Sequence, residues 1–194
     1  IVVDNASGMP TQKVLDEYEQ YERVRAIRND DNRGFAAANN QALRQAQGRY
    51  FMLLNPDCRV LDDALSVLIE AMDADPQLGA CAPQLLDEDG EVSASCRQLP
   101  TLESAFWHLS YLDKLMPTAP RIGDYMMHDF DHQSDRDVDQ PQGAALLFDR
   151  QILDQIGELD ERFFLYFEEV DWCRRVLATG RRIRFLTRAK VQHL

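Results

Sequence analysis

Two groups of carboxylates stand far apart in this chain of 194 residues. The first closes an apolar run: Leu53 and Leu54 lead into Asn55-Pro56-Asp57. The second follows an aromatic run, Phe163 to Phe167, and reads Glu168-Glu169-Val170-Asp171. An aspartate just past a buried strand lies at the strand's carboxyl end, where open α/β sheets bind ligands. Asp57 in that position suits a hard divalent cation, Mg²⁺ or Mn²⁺, that bridges diphosphate oxygens. Asn55 is neutral, so Asp57 is the direct ligand of that motif, and Asn55 is left to hydrogen-bond a ribose. The second group suits a general base for a hydroxyl. On a helix Glu168 and Asp171 share a face and Glu169 points about 100° away, so the three cannot share one task. Acids favour a helix N-terminus without any chemistry, but that does not account for the aromatic run, which as an apolar wall would raise a carboxylate pKa. One acid for a metal-bound diphosphate and one for a proton make group-transfer chemistry.

Composition narrows the setting. The length is that of one domain able to bury a core. The apolar share of 45% and charged share of 28% are those of a globular protein, and no apolar run approaches a membrane span. A net charge of -12 argues against nucleic acid as a partner. From Arg174 to the end, seven basic residues stand with no acid. They read as a solvated face or as an attraction to a diphosphate or an anionic membrane surface. Cys58, Cys81, Cys96 and Cys173 have no metal-site spacing and read as reduced thiols of a cytosolic protein. His128 and His132 have zinc-ligand spacing among aspartates, yet the segment lacks helical pattern and reads as a loop.

The elements that must position these groups alternate between strand and helix, which predicts a mostly parallel sheet with helices on both faces. Strands are expected at 1–4, 24–28, 50–54, 78–83, 143–148, 183–186 and 189–193. Helices are expected at 11–18, 35–46, from Asp62 or Asp63 to 72, at 102–115, 151–156 and 168–178. Asp89-Gly90 predicts a hairpin turn between 84–86 and 91–95. Residues 117–140, rich in Asp, His and Pro, predict a long flexible acidic loop inside a single domain spanning 1–194.

Further residues are candidates by position. Asp4 ends a strand, where it suits an Asx-turn as well as a ligand. Asn32-Arg33-Gly34-Phe35 opens a helix, where a glycine lets a ligand approach the backbone and the helix end favours anions. Gln142-Gly143-Ala144 begins a strand, and small residues there admit a sugar or a β-bulge. Taken in order, Asp4-Asn5-Ala6-Ser7, Asn32 to Asn39, Asn55-Pro56-Asp57, Gln142-Gly143-Ala144 and Phe163 to Arg174 resemble the family-2 glycosyltransferases, over nearly the whole chain. The nearest branch is the rhamnosyltransferase-like enzymes of bacterial surface polysaccharide synthesis.

The resemblance implies a Rossmann-like GT-A fold and an inverting transfer. A sugar passes from a dTDP- or UDP-sugar, dTDP-rhamnose by the branch, to a hydroxyl of a glycan or lipid-linked glycan. It implies that Asp4 and Asn5 meet the nucleotide base and that Asn32, Gly34, Phe35 and Asn39 line the nucleotide pocket. Asn55, Gln142, Gly143 and Ala144 then complete the donor site. Asp57 and His193 hold the metal, and Glu169 is the general base, supported by Glu168 and Asp171. It implies a cytoplasmic enzyme, with peripheral contact at the inner face of the cell membrane open. It also implies that the family's first strand and helix stand ahead of Ile1. Two alternatives keep the same residues in view: a nucleotidyltransferase of related fold, and a degenerate glycan-binding or scaffold domain.

Overall fold

The computed structural model describes residues 1–111, 115–116 and 124–194. The chain opens with β1 (Val2–Asn5), α1 (Met9–Tyr18), β2 (Ala26–Asn29) and α2 (Phe35–Gln45). Pro10 in the first turn of α1 has the fixed φ that a helix start favours. β1 and β2 pair in parallel as a two-stranded sheet of their own. α2 packs on β1 and sends Ala36 and Leu43 into the main core.

The main sheet is built from β3 (Tyr50–Leu54), β4 (Cys58–Val60), β5 (Leu78–Leu86), β9 (Ala145–Asp149) and β10 (Arg182–His193) in the order β3-β9-β5-β10-β4. A further strand, β7 (Arg136–Val138), pairs with β10. Expected to be mostly parallel, the sheet is mixed: β5 and β10 run parallel, whereas β9 lies antiparallel to both β3 and β5. Alternating strand and helix predicts crossovers, but strand order depends on which long-range pairs form, and no local pattern encodes it. Side chains alternate across the sheet as a pleat requires. Leu146 and Phe148 of β9 face one core with Trp172, Cys173 and Val176, and Leu147 faces the other with Leu68, Cys81 and Leu186. α3 (Ala64–Ala74) covers the second face. α5 (Arg150–Ile156) and α6 (Glu168–Ala178) cover the first. β5 is buried along nearly its whole length, consistent with its place between β9 and β10.

Several boundaries differ from expectation. The two strands expected at 183–186 and 189–193 are one strand, β10, with a register shift between Leu186 and Lys190. The polar Thr187 there is held by Asp135, which accepts from both its N–H and its hydroxyl at 2.8 Å. β4 was not expected; it exists because β10 runs far enough to pair with it. The helix expected at 102–115 is α4 (Leu102–Leu109), and residues 112–114 lie outside the described residues. The hairpin at Asp89-Gly90 is reduced to one bridge, Leu86 to Val92, with Gly90 at φ 83°.

Of the flexible acidic loop expected at 117–140, residues 117–123 lie outside the described residues. Of the rest, residues 124–135 are turn and irregular backbone, and the end forms β7 and β8 (Gln140–Pro141), which pairs with β6 (Cys96–Arg97). His132, weighed as a zinc ligand, is buried against Phe130 and Phe185, and its Nε2 accepts from the Cys96 N–H at 3.2 Å. Much of the basic C-terminal stretch is neutralised within the fold: Arg175, Arg181, Arg182 and Arg184 pair with Asp171, Asp149, Asp75 and Asp137. That favours the solvated face over attraction to an external anion.

One buried polar side chain ties α2 to the loop that leads into α6. Asn40 is 1% exposed. Its Nδ2 donates to the Leu159 carbonyl at 2.8 Å, and its Oδ1 accepts from the Leu159 N–H at 3.0 Å. Replacing it strands two backbone groups away from water. Asn40→Ala is expected to lower unfolding stability by about 1–3 kcal/mol, the usual cost of buried unpaired groups, read as a fall in the urea midpoint.

Candidate functional site

The antiparallel pairing of β10 with β4 sets His193 opposite Cys58. This brings the His193 Nε2 to 3.4 Å from the Asp57 Oδ2. The Leu194 N–H donates to the Asp57 carbonyl at 2.8 Å, fastening the two segments. Asp57, Cys58 and His193 are the one group of three metal-capable side chains among the described residues, with ligand atoms within 4.8 Å of one another. Asp57 is exposed and His193 half-buried, leaving room for a phosphate and waters. An imidazole nitrogen with a carboxylate oxygen suits Mg²⁺ or Mn²⁺. Burial, with the charge of Asp57 behind it, pushes the Cys58 thiol up to about 11, and a soft sulfur is a poor match for a hard cation. The residues present therefore fit a divalent ion held by Asp57 and His193.

The start of β9 joins this station to the second. The Ala144 carbonyl accepts from the Asn55 N–H at 2.9 Å and from the Cys58 thiol at 3.5 Å. One residue earlier, a Cβ on Gly143 would sit 3.3 Å from the Glu169 Cβ. Gly143 and Ala144 thus pack between the Asp57 turn and the helix that carries Glu169. Gln142 itself is exposed, its N–H donating to the Ser95 carbonyl at 2.7 Å.

Glu168 and Glu169 begin α6. Glu168 is 4% exposed. Each has a buried Oε2 without a hydrogen-bond partner among the described residues. The Oε1 of Glu169 accepts from the Gln140 amide at 3.4 Å. Burial pushes both carboxyls above the ordinary range, and for Glu168 the neighbouring charge of Glu169 adds to it. The aromatic wall expected to do this does not: Phe164, Leu165, Tyr166 and Phe167 are all more than half exposed. Burial comes instead from the strand side, where Gly143 and Gln140 lie. The backbone before the pair is unusual. Tyr166 and Phe167 both take left-handed φ, 67° and 71°, which costs on the order of 1–3 kcal/mol each and concentrates at functional sites.

Asp171, expected in the catalytic group, is separated from it. Its Oδ2 accepts from the Arg175 Nε at 2.8 Å, and that guanidinium also donates to the carbonyls of Ile156 and Glu158. Asp171 steadies the approach to α6 rather than facing Gly143.

The expected nucleotide residues form a polar network at the ends of β1 and β2. Asn5 donates to Asn32 Oδ1 and the Gly34 carbonyl and accepts from Asn29 and the Arg33 N–H. Asn32 also accepts from the Gly34 N–H. Asp4 is buried, and its carboxylate accepts from the Ser7 N–H at 3.0 Å and from Gln12. These bonds, opposed by burial, hold its pKa below the usual range. The Asp4 side chain thus closes a local turn on the third residue after it, with both oxygens taken inside the chain. At Gly34, φ is 84° and a Cβ would lie 2.5 Å from the Phe164 carbonyl. That carbonyl accepts from the Phe35 N–H at 2.9 Å. The close approach expected of a ligand here is made by the chain itself, and so is the occupation of the α2 N-terminus. Asn39 bonds back to the Phe35 carbonyl. Asn40, Gln140 and Arg175 were not singled out from the sequence; only their burial and partners mark them.

The fold defines the class. Solved structures that resemble it are GalNAc-T7 with UDP, GalNAc and Mn²⁺, at TM-score 0.68 and 16% identity, and the mannosyltransferase PcManGT from Pyrobaculum calidifontis with GDP-Man and Mn²⁺, at 0.63 and 18%. Each match covers 98% of this chain but only 36% and 46% of the respective solved chain. The architecture is thus the GT-A fold. The chain belongs to glycosyl transferase family 2, whose model matches residues 1–131. It is also 29% identical over its full length to the N-acetylglucosaminyl-diphospho-decaprenol L-rhamnosyltransferase of Mycobacterium tuberculosis, and spans 65% of that relative.

The raised carboxyls carry a stability signature. The folded state holds protons on Glu168 and Glu169 at pH values where the unfolded chain has released them. Stability from this source is therefore present below the unfolded pKa and lost as pH rises through the folded one. Glu168→Gln is expected to raise the melting temperature near neutral pH, and the gain is expected to vanish at about pH 4, where both forms are neutral. Calorimetric scans of the variant and parent across pH check this.

Proposed function

We propose that this chain carries the catalytic site of an inverting glycosyltransferase that moves a sugar from a nucleoside-diphosphate donor to a hydroxyl of a glycan or lipid-linked glycan. The observation that supports it most is the link through Gly143 and Ala144, which joins the Asp57–His193 pair to Glu169, whose Oε2 has no partner among the described residues. Family membership and the similarity to a rhamnosyltransferase support cell-surface glycan synthesis and dTDP-rhamnose as the donor. Among the described residues no helix is long and apolar enough to cross a membrane, so a lipid-linked acceptor would meet the chain at a membrane surface.

In this reading Glu169 takes the proton of the acceptor hydroxyl. The oxygen forms its bond to the anomeric carbon from the face opposite the diphosphate, and the bond from that carbon to the diphosphate oxygen breaks. The nucleoside diphosphate leaves with the electron pair, and the anomeric configuration inverts. Glu169 suits the task because burial raises its affinity for a proton and makes it a stronger base than an exposed glutamate. Glu168, next in the chain and 4% exposed, feels the charge of Glu169 in addition to its own burial, and both raise its affinity for a proton. Asp57 and His193 would hold a divalent cation, which would supply positive charge to offset that of the departing diphosphate. The Asn5–Asn32 network, with Gly34 and Phe35, keeps the ends of β1 and β2 in place beside the Phe163–Phe167 segment, where the nucleoside would lie.

Two variants test the assignment together. Asp57→Ala is expected to abolish Mn²⁺-dependent binding of dTDP or UDP, measured by calorimetry, with an unchanged fold. Glu169→Gln is expected to leave that binding near normal and to reduce transfer from dTDP-rhamnose to octyl N-acetylglucosaminide by roughly 10² to 10⁴. Glu168→Gln is expected to do less. Unchanged metal-dependent affinity in Asp57→Ala would remove the metal assignment, and a larger transfer loss in Glu168→Gln would exchange the roles of the two glutamates.

A further inference from the structure

Gln140 is 6% exposed, sits in a two-residue strand and ends in an amide with only half its hydrogen bonds made. Its Nε2 donates to the Glu169 Oε1 at 3.4 Å. Its Oε1 is buried and has no partner among the described residues. The orientation follows from chemistry: an amide nitrogen beside a carboxylate attracts it, whereas a carbonyl there would repel it. Once the N–H is committed to Glu169, the carbonyl oxygen must point elsewhere. Three buried oxygens thus lack a donor in this region, those of Gln140, Glu168 and Glu169. A buried acceptor without a donor costs about 1–3 kcal/mol. Three such acceptors on touching or adjacent residues are a need that a molecule rich in hydroxyl donors would meet. A sugar is such a molecule.

We propose that Gln140 is a positioning and specificity residue for the acceptor sugar: its N–H holds one oxygen of Glu169 so that the other faces the reacting hydroxyl, and its carbonyl takes a second hydroxyl of the same sugar. This rests on the transferase reading above. β8 is well placed for the role. Arg97 of β6 pairs with Gln140 in the ladder, and the Asp139 carboxylate accepts from the Leu99 N–H at 3.1 Å, so the strand is braced on both sides of the amide. Glu168 and Cys173 neighbour Glu169 on its own helix, and Cys173 in turn feels Asp139, Cys96 and the cation of Arg175, which is committed to Asp171. The Gln140 amide is the side-chain donor that favours ionised Glu169.

Two substitutions of similar length separate the two tasks. Gln140→Met removes donor and acceptor; Gln140→Glu removes the donor and keeps an acceptor. The first measurement is the titration of the Glu169 carboxyl by ¹³C NMR on the full chain, with no donor or acceptor present. Both variants are expected to titrate at higher pH than the parent, Gln140→Glu the more so. A titration unchanged in Gln140→Met overturns the positioning role, whatever the fate of the transferase reading. The second is transfer from dTDP-rhamnose to octyl N-acetylglucosaminide. Gln140→Met is expected to raise the acceptor KM about tenfold, the worth of one lost hydrogen bond in a buried site, and to move the acid limb of the pH profile upward, with the donor KM unchanged. Gln140→Glu is expected to keep an acceptor KM near that of the parent. Equal acceptor KM in all three proteins overturns the specificity role. Absence of turnover in the parent overturns the transferase reading, and the NMR titration still decides the positioning role.

Discussion

The site depends on one short piece of backbone. The Ala144 carbonyl draws in the Asn55 N–H and the Cys58 thiol, and Gly143 gives the Glu169 side chain room to lie against it. A side chain at 143 would press on Glu169, and a shifted strand would release the Asp57 turn. The two chemical stations are therefore held at a fixed separation by backbone, which moves less than side chains do. The antiparallel insertion of β9 between β3 and β5 makes this possible, because it brings the start of β9 alongside the end of β3.

Around that link the protein leaves polar groups incompletely satisfied. Most buried polar groups in folded proteins find partners. Here Glu168, Glu169 and Gln140 each retain a buried oxygen that does not, and two successive residues before them are left-handed. Both features oppose stability locally, and both are offset by the tie of Asn40 to Leu159 and of Arg175 to the carbonyls of Ile156 and Glu158. Elsewhere charge is neutralised within the fold, as Asp137 pairs with Arg182 and Arg184. The contrast is what separates the site from the surface.

The nucleotide end differs in kind. Asn5, Asn29, Asn32 and Gln41 bond mainly to one another and to the Gly34 loop. Neutral amides both donate and accept, so such a network can hold a loop without fixing a charge there. The Phe164 carbonyl then closes the circuit by accepting from the Phe35 N–H, so the loop before α6 and the loop before α2 form one structure. The Asn5–Asn32 network and the start of the helix that carries Glu169 are coupled through that contact.

By itself the sequence determined what local chemistry determines. Helix and strand positions followed from periodicity, with the ends of α2 and α6 near where the glycines put them. Asp57 past a strand and Glu168-Glu169 at a helix start were legible as positions, although turns and helix starts favour acids without any chemistry. Tertiary structure decided the rest. His193 became a partner of Asp57 only because β10 continues through a bulge to pair with β4. The sheet became mixed because β9 pairs with strands remote in sequence. The aromatic run lay at the surface, and Asp171 turned to Arg175, because burial and ion pairing depend on what another segment brings. Gln140 and Asn40 carried no sequence signal at all, since an amide reveals its role only by the atoms it meets once water is excluded.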